Sequence, residues 1–146
     1  MDKETLYDLC KTKKTRLTPQ RWQVYKTLTE MTGHPSVEDI HCEVVKILPS
    51  ISLNTVYKAL DWMEKNRFAM SVPIRESKKK YCPNQKPHSH IICAVCGDIS
   101  DSDKTGMAGL LPDSLIKNYH VLGLNVTVNI ICDRCLRAGN RKVEIH

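Results

Sequence analysis

Two Cys-x-x-Cys pairs, Cys93-Ala-Val-Cys96 and Cys132-Asp-Arg-Cys135, constrain this chain more than any other stretch. A two-residue spacer lets both sulfurs of a pair turn toward one ion. Two such pairs are the usual way to hold a tetrahedral zinc on four thiolates. The 35 residues between the pairs exceed the spacer of a simple zinc ribbon. One ion would therefore staple a whole subdomain, joining its first strand to its last. The alternative is two disulfides or free thiols. Seven cysteines, an odd number, disfavour a pure disulfide framework. A reducing compartment would disfavour disulfides altogether. Met1 is followed by Asp-Lys-Glu rather than an apolar segment, and no apolar run is long enough to span a bilayer. The expectation is a cytoplasmic protein with no membrane partner.

The positive charge lies away from those cysteines. Residues 1–80 hold 15 Lys/Arg against 10 Asp/Glu, whereas residues 81–146 hold 7 against 6. Nucleic acid is the natural partner of such a first half, although a solvated basic face is the plainer alternative. Periodicity fills that half with short helices. Residues 4–14 read as a helix with Leu6, Leu9 and Cys10 inward, followed by Lys11, Lys13, Lys14 and Arg16. Thr18 caps and Pro19 opens a second helix through Met31, with Val24, Leu28 and Met31 on one face. Gly33-His34-Pro35 stops it. Ser36-Val-Glu-Asp39 resembles a capping box and starts a third helix, with Val37, Ile40, Val44 and Ile47 or Leu48 buried. Ser52 caps a fourth, Leu53–Asn66, with the stripe Leu53, Val56, Leu60 and Met63 inward. Asn54, Thr55, Tyr57, Lys58 and Asp61 face the other way. Two short helices, the second presenting hydrogen-bonding residues in its first turns, describe a helix-turn-helix. Phe68–Arg75 and Lys79–Cys82 then read as a hairpin, a wing whose lysines 78–80 would face phosphates.

Pro83-Asn-Gln-Lys-Pro87 is rich in turn formers and marks a boundary. The expected organisation is a DNA-binding domain over 1–83, a hinge at 84–87 and a second domain over 88–146. In the second domain, His88–Ile99 reads as one strand, Leu110–Tyr119 as a helix closed by Gly123, and Val121–Ile131 as a further strand. Cys10 and Cys42 read as structural residues, and His120 has no assigned role.

Taken together, Arg16-Leu-Thr-Pro-Gln-Arg21, His34-Pro, Ser52-x-x-Thr-Val-Tyr57, His88-x-His90-x-x-Cys93-x-x-Cys96-Gly97 and Cys132-x-x-Cys135 form a specific set. In order and spacing it resembles the ferric uptake regulator (Fur) family of bacterial metal-dependent repressors. The resemblance covers about residues 10 to 136. It implies an α+β chain: an N-terminal winged helix-turn-helix DNA-binding domain, then a small α/β dimerisation domain with a four-cysteine zinc site. It implies one structural zinc per chain on Cys93, Cys96, Cys132 and Cys135, and a homodimer on palindromic operator double-stranded DNA. Carried over position by position, a regulatory divalent metal would use His34, Cys82, His88, His90 and Asp101. Iron- and peroxide-sensing members usually place Asp or Glu where Cys82 stands. A thiolate is softer and favours zinc over ferrous iron, so zinc is the expected signal, with iron or manganese as the alternative. Pro87, Ser89 and a shorter strand before Cys132 depart from the family pattern and argue against an additional metal site.

For DNA, the family pattern points to Tyr57 for a thymine contact and to Arg16 for a neighbouring minor groove. Arg21 belongs to the same motif as Arg16 and joins the expected contacts. Asn54, Thr55 and Lys58 follow from helix position and would divide between base edges and phosphates. The expectation is a repressor with no small-molecule substrate and no enzymatic activity. A peroxide- or iron-responsive repressor is the alternative, and a zinc-ribbon thiol enzyme a remote one.

Overall fold

In a computed structural model the chain divides into two compact units, Met1–Gln85 and Lys86–His146. The structure describes residues 1–74, 79–84, 88–102, 118 and 126–139. The wing tip with Lys78, the predicted helix Leu110–Tyr119, Gly123, His120 and the first residues of the Val121–Ile131 run lie outside the described residues, Asn118 excepted.

The first unit opens with four helices: α1 (Lys3–Thr12), α2 (Pro19–Glu30), α3 (Val37–Val45) and α4 (Leu53–Lys65). Each begins where a short polar side chain can replace the missing intrahelical acceptor. Asp2, Thr18, Ser36 and Ser52 accept from the amides of Thr5, Arg21, Asp39 and Thr55 respectively. At α3 the cap is reciprocal: the Ser36 amide donates to Asp39 Oδ2 at 2.9 Å while the Asp39 amide donates to Ser36 Oγ at 3.2 Å. Asp works here in place of the longer Glu. These bonds hold the Asp39 carboxyl below its ordinary value of 3.8, the Ser36 side chain contributing most.

A pH-dependent prediction follows. A depressed folded pKa stabilises above the unfolded value and is lost as pH falls through the folded value. Ser36→Ala is expected to cost about 1 kcal/mol near neutral pH. It should also flatten the acid limb of the stability curve. Urea melts at pH 7 and below pH 4 check both.

The inward stripes of α2, α3 and α4 close one core containing Val24, Leu28, Ile40, Val44, Leu60 and Met63, with Leu6 and Cys10 from α1 beneath. Burial raises the Cys10 thiol above its ordinary value, so it stays protonated and packs as a small apolar group. Several residues differ from the periodic reading. Leu9 is 37% exposed and Leu53 36% exposed. Helix α3 ends at Val45, Ile47 is 57% exposed, and it is Leu48 that packs on the core. The reason is a change of phase. Lys46 and Ile47 N–H bond back only three residues, to Glu43 and Val44 C=O at 3.3 and 3.0 Å, a tighter turn than the α-helical four, and Ile47 leaves the inward face.

The wing is an antiparallel hairpin of β1 (Met70–Pro73) and β2 (Lys79–Cys82), in register from Met70 opposite Cys82 to Pro73 opposite Lys79. Its first strand is shorter than predicted. Phe68 and Ala69 are buried in the helical core instead, and Arg75 is outside the described residues. Strand β2 also runs along the loop before α3: Tyr81 N–H donates to Pro35 C=O at 2.9 Å, and Ser36 bridges to Lys80.

In the second unit the predicted strand His88–Ile99 is two strands, β3 (Ser89–Cys93) and β4 (Ile99–Ser102). The chain reverses between them through the first cysteine pair. Gly97 takes φ +69°, its amide donates to Cys93 C=O at 2.9 Å, and the Cys93 amide donates to Asp98 C=O at 2.9 Å. A periodicity argument cannot detect this because Ala94 and Val95 are as apolar as strand residues. β5 (Val126–Ile130) pairs parallel to β3 on its other edge, giving the order β4-β3-β5, and α5 (Asp133–Arg137) follows.

Candidate functional site

Parallel pairing carries the ends of β3 and β5 to the same edge of the sheet, Cys93 opposite Ile130. The first cysteine pair leaves β3 there, and the second opens α5 two residues after β5. Cys132 is the residue before α5, and Cys135 lies within its first turn. The four sulfurs lie within 4.8 Å of one another. Cys93 Sγ is 3.9 Å from Cys135 Sγ, and Cys96 Sγ is 3.8 Å from Cys132 Sγ. Thiolates about 2.3 Å from a tetrahedral zinc stand about 3.8 Å apart, so the cluster has the dimensions of that site. All seven cysteines are free thiols, and 3.8 Å is far beyond a disulfide of about 2.0 Å.

The surroundings prepare some of these sulfurs for ionisation. The Cys132 amide donates to Cys93 Sγ at 3.3 Å. With the Cys96 amide it brings the Cys93 thiol down to about 6. Cys96 is lowered by the Asp98 amide first and then by Arg134, whose Nη2 donates to its sulfur at 3.5 Å. Cys135 is pushed up by burial. It would ionise only against a cation, which is what a zinc supplies to a coordinated thiol. The cluster therefore fits a structural zinc.

A second concentration of donors lies at the other end of β3. Residues two apart on a strand share a face, so His88 and His90 stand together. Their Nε2 atoms are 3.0 Å apart. The register sets Asp101 of β4 opposite His90. Its Oδ1 is 3.6 Å from each Nε2. Two ring nitrogens and one carboxylate oxygen converge, from His88 just before β3, His90 on β3 and Asp101 on β4. In the first unit, the contacts between β2 and Pro35 bring His34 and Cys82 together, their ligand atoms within 4.8 Å. Cys82 is buried and its sulfur accepts from the Asn84 amide at 3.4 Å.

Helix α4 presents Asn54, Tyr57 and Lys58 outward; Tyr57 is 44% exposed. The Tyr57 hydroxyl donates to Glu38 Oε1 of α3 at 3.4 Å, across a cleft of about 480 Å³ whose walls include Lys58, Asp61, Lys79 and Tyr81. Burial, with the nearby Glu64 carboxylate, pushes Tyr81 up to about 12, so it stays a neutral phenol. Glu64 also ties α4 to the wing, accepting from the Ser71 hydroxyl and pairing with Lys79 at 3.5 Å.

Residues 12–131 match the sequence model of the ferric uptake regulator family. The chain belongs to that family. Such proteins are metalloregulators, and the four-cysteine cluster, the winged helix and the small sheet are its architecture. A ferric uptake regulation protein of Synechococcus elongatus is 30% identical over 129 residues, spanning 84% of this chain and 87% of the relative. The Campylobacter jejuni peroxide stress regulator superposes with a TM-score of 0.70 at 27% identity, covering 92% of this chain and all of that one. A zinc uptake regulator solved with zinc and DNA superposes with a TM-score of 0.65 at 22% identity, covering 93% of each chain. At that identity it speaks for the fold. Among the described residues no helix is long and apolar enough to cross a membrane.

Within this Fur-family chain three expected DNA contacts, Tyr57, Thr55 and Arg21, have partners inside the protein. Tyr57 donates to Glu38. Thr55 Oγ1 is 2.9 Å from Ser52 Oγ, inside the α4 cap. Arg21 donates from Nη1 to Arg16 C=O at 2.6 Å and lies over the Trp62 ring at 4.6 Å. Arg16 itself is exposed. Sequence reasoning missed Glu38 and Trp62. Glu38 reads as part of a capping segment, and Trp62 falls outside the inward stripe expected for α4.

Proposed function

We propose that this regulator is a metal-dependent transcriptional repressor that binds palindromic operator DNA as a homodimer when a regulatory cation site is filled, and that zinc is the cation it senses. The donor set carries the reading. Four ligands drawn from His34 and Cys82 in one unit and His88, His90 and Asp101 in the other would hold the ion. Each half already has its ligand atoms grouped, by the wing–loop pairing in the first and by strand register in the second. A thiolate with imidazoles and one carboxylate suits a tetrahedral zinc, whereas iron and manganese favour sites richer in oxygen and nitrogen. Ligands drawn from both units would fix the angle between them in each protomer. That angle would set the distance between the two α4 helices of a dimer, and an operator with fixed half-site spacing accepts one such distance.

The second reading is an iron- or manganese-dependent repressor that answers to iron or peroxide. The identity to ferric uptake regulation proteins and to the C. jejuni peroxide stress regulator favours it. Metal dependence of binding separates the two. Under the zinc reading, chelated protein regains affinity for a duplex selected from a random pool at free zinc far below the iron or manganese concentration needed. Restoration by ferrous iron alone would reject zinc.

The DNA reading makes its own prediction. Tyr57 would contact a thymine from the first turns of α4. Asn54, Thr55 and Lys58 would divide between base edges and phosphates. Arg16 would reach the neighbouring minor groove, and the wing lysines would face the backbone. A dimer making six to ten phosphate contacts should lose about 10³- to 10⁵-fold in affinity between roughly 50 and 200 mM salt. Tyr57→Ala is expected to weaken binding to the selected duplex by about 10- to 100-fold, the range of one good base contact, and to leave binding to random duplex unchanged. Fluorescence anisotropy across a salt series measures both. Equal weakening on both duplexes would remove Tyr57 from base readout.

A further inference from the structure

The loop carrying Lys13, Lys14 and Arg16 is fastened to α4 by contacts that base readout does not require. The Trp62 indole Nε1 donates to Thr15 Oγ1 at 2.8 Å, joining positions 47 residues apart. The Arg21 guanidinium covers the same indole at 4.6 Å and donates to Arg16 C=O at 2.6 Å. Phe68 backs the indole at a centroid distance of 5.2 Å. The Thr15 amide donates to Cys10 C=O at 2.9 Å. Lys14 takes φ +51°, a left-handed conformation that a lysine holds only where its neighbours fix it. The loop's main chain is thus pinned at several points, while the side chains of Lys13, Lys14 and Arg16 are exposed.

The geometry of α4 gives this fastening a direction. Trp62 follows Lys58 by four residues, which sets it about 40° round the helix, on the flank of the outward face. It lies eight residues beyond Asn54, about 12 Å along the axis. With the first turns of α4 at the bases, a loop anchored at Trp62 stands about two helical turns behind them, on the side where the flanking phosphates would lie.

We propose that Trp62, Thr15 and Arg21 form a clamp that holds the Lys13–Arg16 loop at a fixed offset from α4, so that its cations meet the DNA backbone flanking the groove that α4 enters. Arg21 is then a positioning residue, not a DNA contact. The clamp rests on the reading of α4 as the DNA-reading helix. A loop ordered before binding brings its charges to phosphate without being immobilised at that moment.

Uncharged substitutions provide the test. Full-length wild type, loaded in parallel with zinc, ferrous iron or manganese, first selects a duplex from a random pool. Thr15→Val then removes the indole's acceptor without altering charge, and Trp62→Phe removes the donor. Both are expected to lower affinity for that duplex about 3- to 10-fold. Both should also reduce the salt slope by about one, the signature of one lost phosphate contact. Hydroxyl-radical protection at the flanks should disappear while the centre stays protected. Thr15→Val added to the triple variant Lys13→Ala, Lys14→Ala, Arg16→Ala should bind no more weakly than that triple variant alone. A wild-type slope and footprint for Thr15→Val, in protein with unchanged circular dichroism, would overturn the clamp. So would an affinity loss at unchanged slope, which marks general destabilisation. Failure of the wild type to select any duplex would reject the DNA reading itself, before any variant is made, and the clamp would fall with it.

Discussion

Replacing Cys132 by serine is expected to remove the structural zinc and unfold the second unit, while the first unit stays folded. The effect should be large because a four-thiolate zinc contributes an apparent 10–16 kcal/mol or so in small domains. A whole domain is typically stable by only about 5–15 kcal/mol. Around the described strands of the second unit, the buried apolar side chains are few: Ile92, Ile99 and the cysteines Cys93 and Cys135 themselves. The Cys132 amide that donates to Cys93 is main chain and survives the substitution, so the loss falls on the fourth thiolate and the ion it would hold. The first unit has its own core of helix stripes and holds no part of this cluster. Hydrogen exchange read by mass spectrometry should show protection lost over β3, β4 and β5 and retained over α2 and α4. Zinc content should fall by one equivalent per chain. Retained protection of β3 in a zinc-free Cys132→Ser protein would mean that the sheet does not depend on the metal.

Cys82→Ser is expected to leave that zinc in place and abolish metal-dependent DNA binding. Switching a two-state protein from about 1:99 to 99:1 needs about 5.5 kcal/mol of differential affinity between its states. Loss of one thiolate ligand from a proposed four- or five-donor site removes a large share of that difference. The variant's affinity for the selected duplex should drop by at least about 100-fold at metal levels that saturate the wild type, equivalent to about 2.7 kcal/mol. Metal content should fall from two equivalents to one. Because Cys82 is buried at the end of β2, serine fits its space with little loss of packing, and the thermal midpoint of the first unit should stay near wild type. Normal metal and DNA binding by Cys82→Ser would exclude Cys82 from the sensing site. With it would go the argument from a soft ligand to zinc.

Much of this protein was legible in one dimension because its key signals are local. Capping residues stand next to the helices they start, so Thr18, Ser36 and Ser52 mark α2, α3 and α4 directly. The two-residue spacers of the cysteine pairs identify a shared ion, and the one-residue spacer of His88 and His90 puts both rings on one strand face. Where the local signal was ambiguous the reading slipped. Ala94 and Val95 look like strand residues but form the turn that separates β3 from β4. Leu9 and Leu53 fit an apolar period but stand at the margin of the core.

The sequence by itself thus determined the helical winged half, the chemistry of the four cysteines and the candidate donors of a second site. The tertiary structure alone decided which residues meet. Register across β3 and β4 brought Asp101 to the histidines, parallel pairing of β3 with β5 carried Cys132 to Cys93, and the fold brought Thr15 to Trp62. Periodicity reports which face of an element is buried, but not which distant element covers it. That choice is made by the packing of the whole chain, through contacts whose partners lie too far apart in sequence to leave a local pattern.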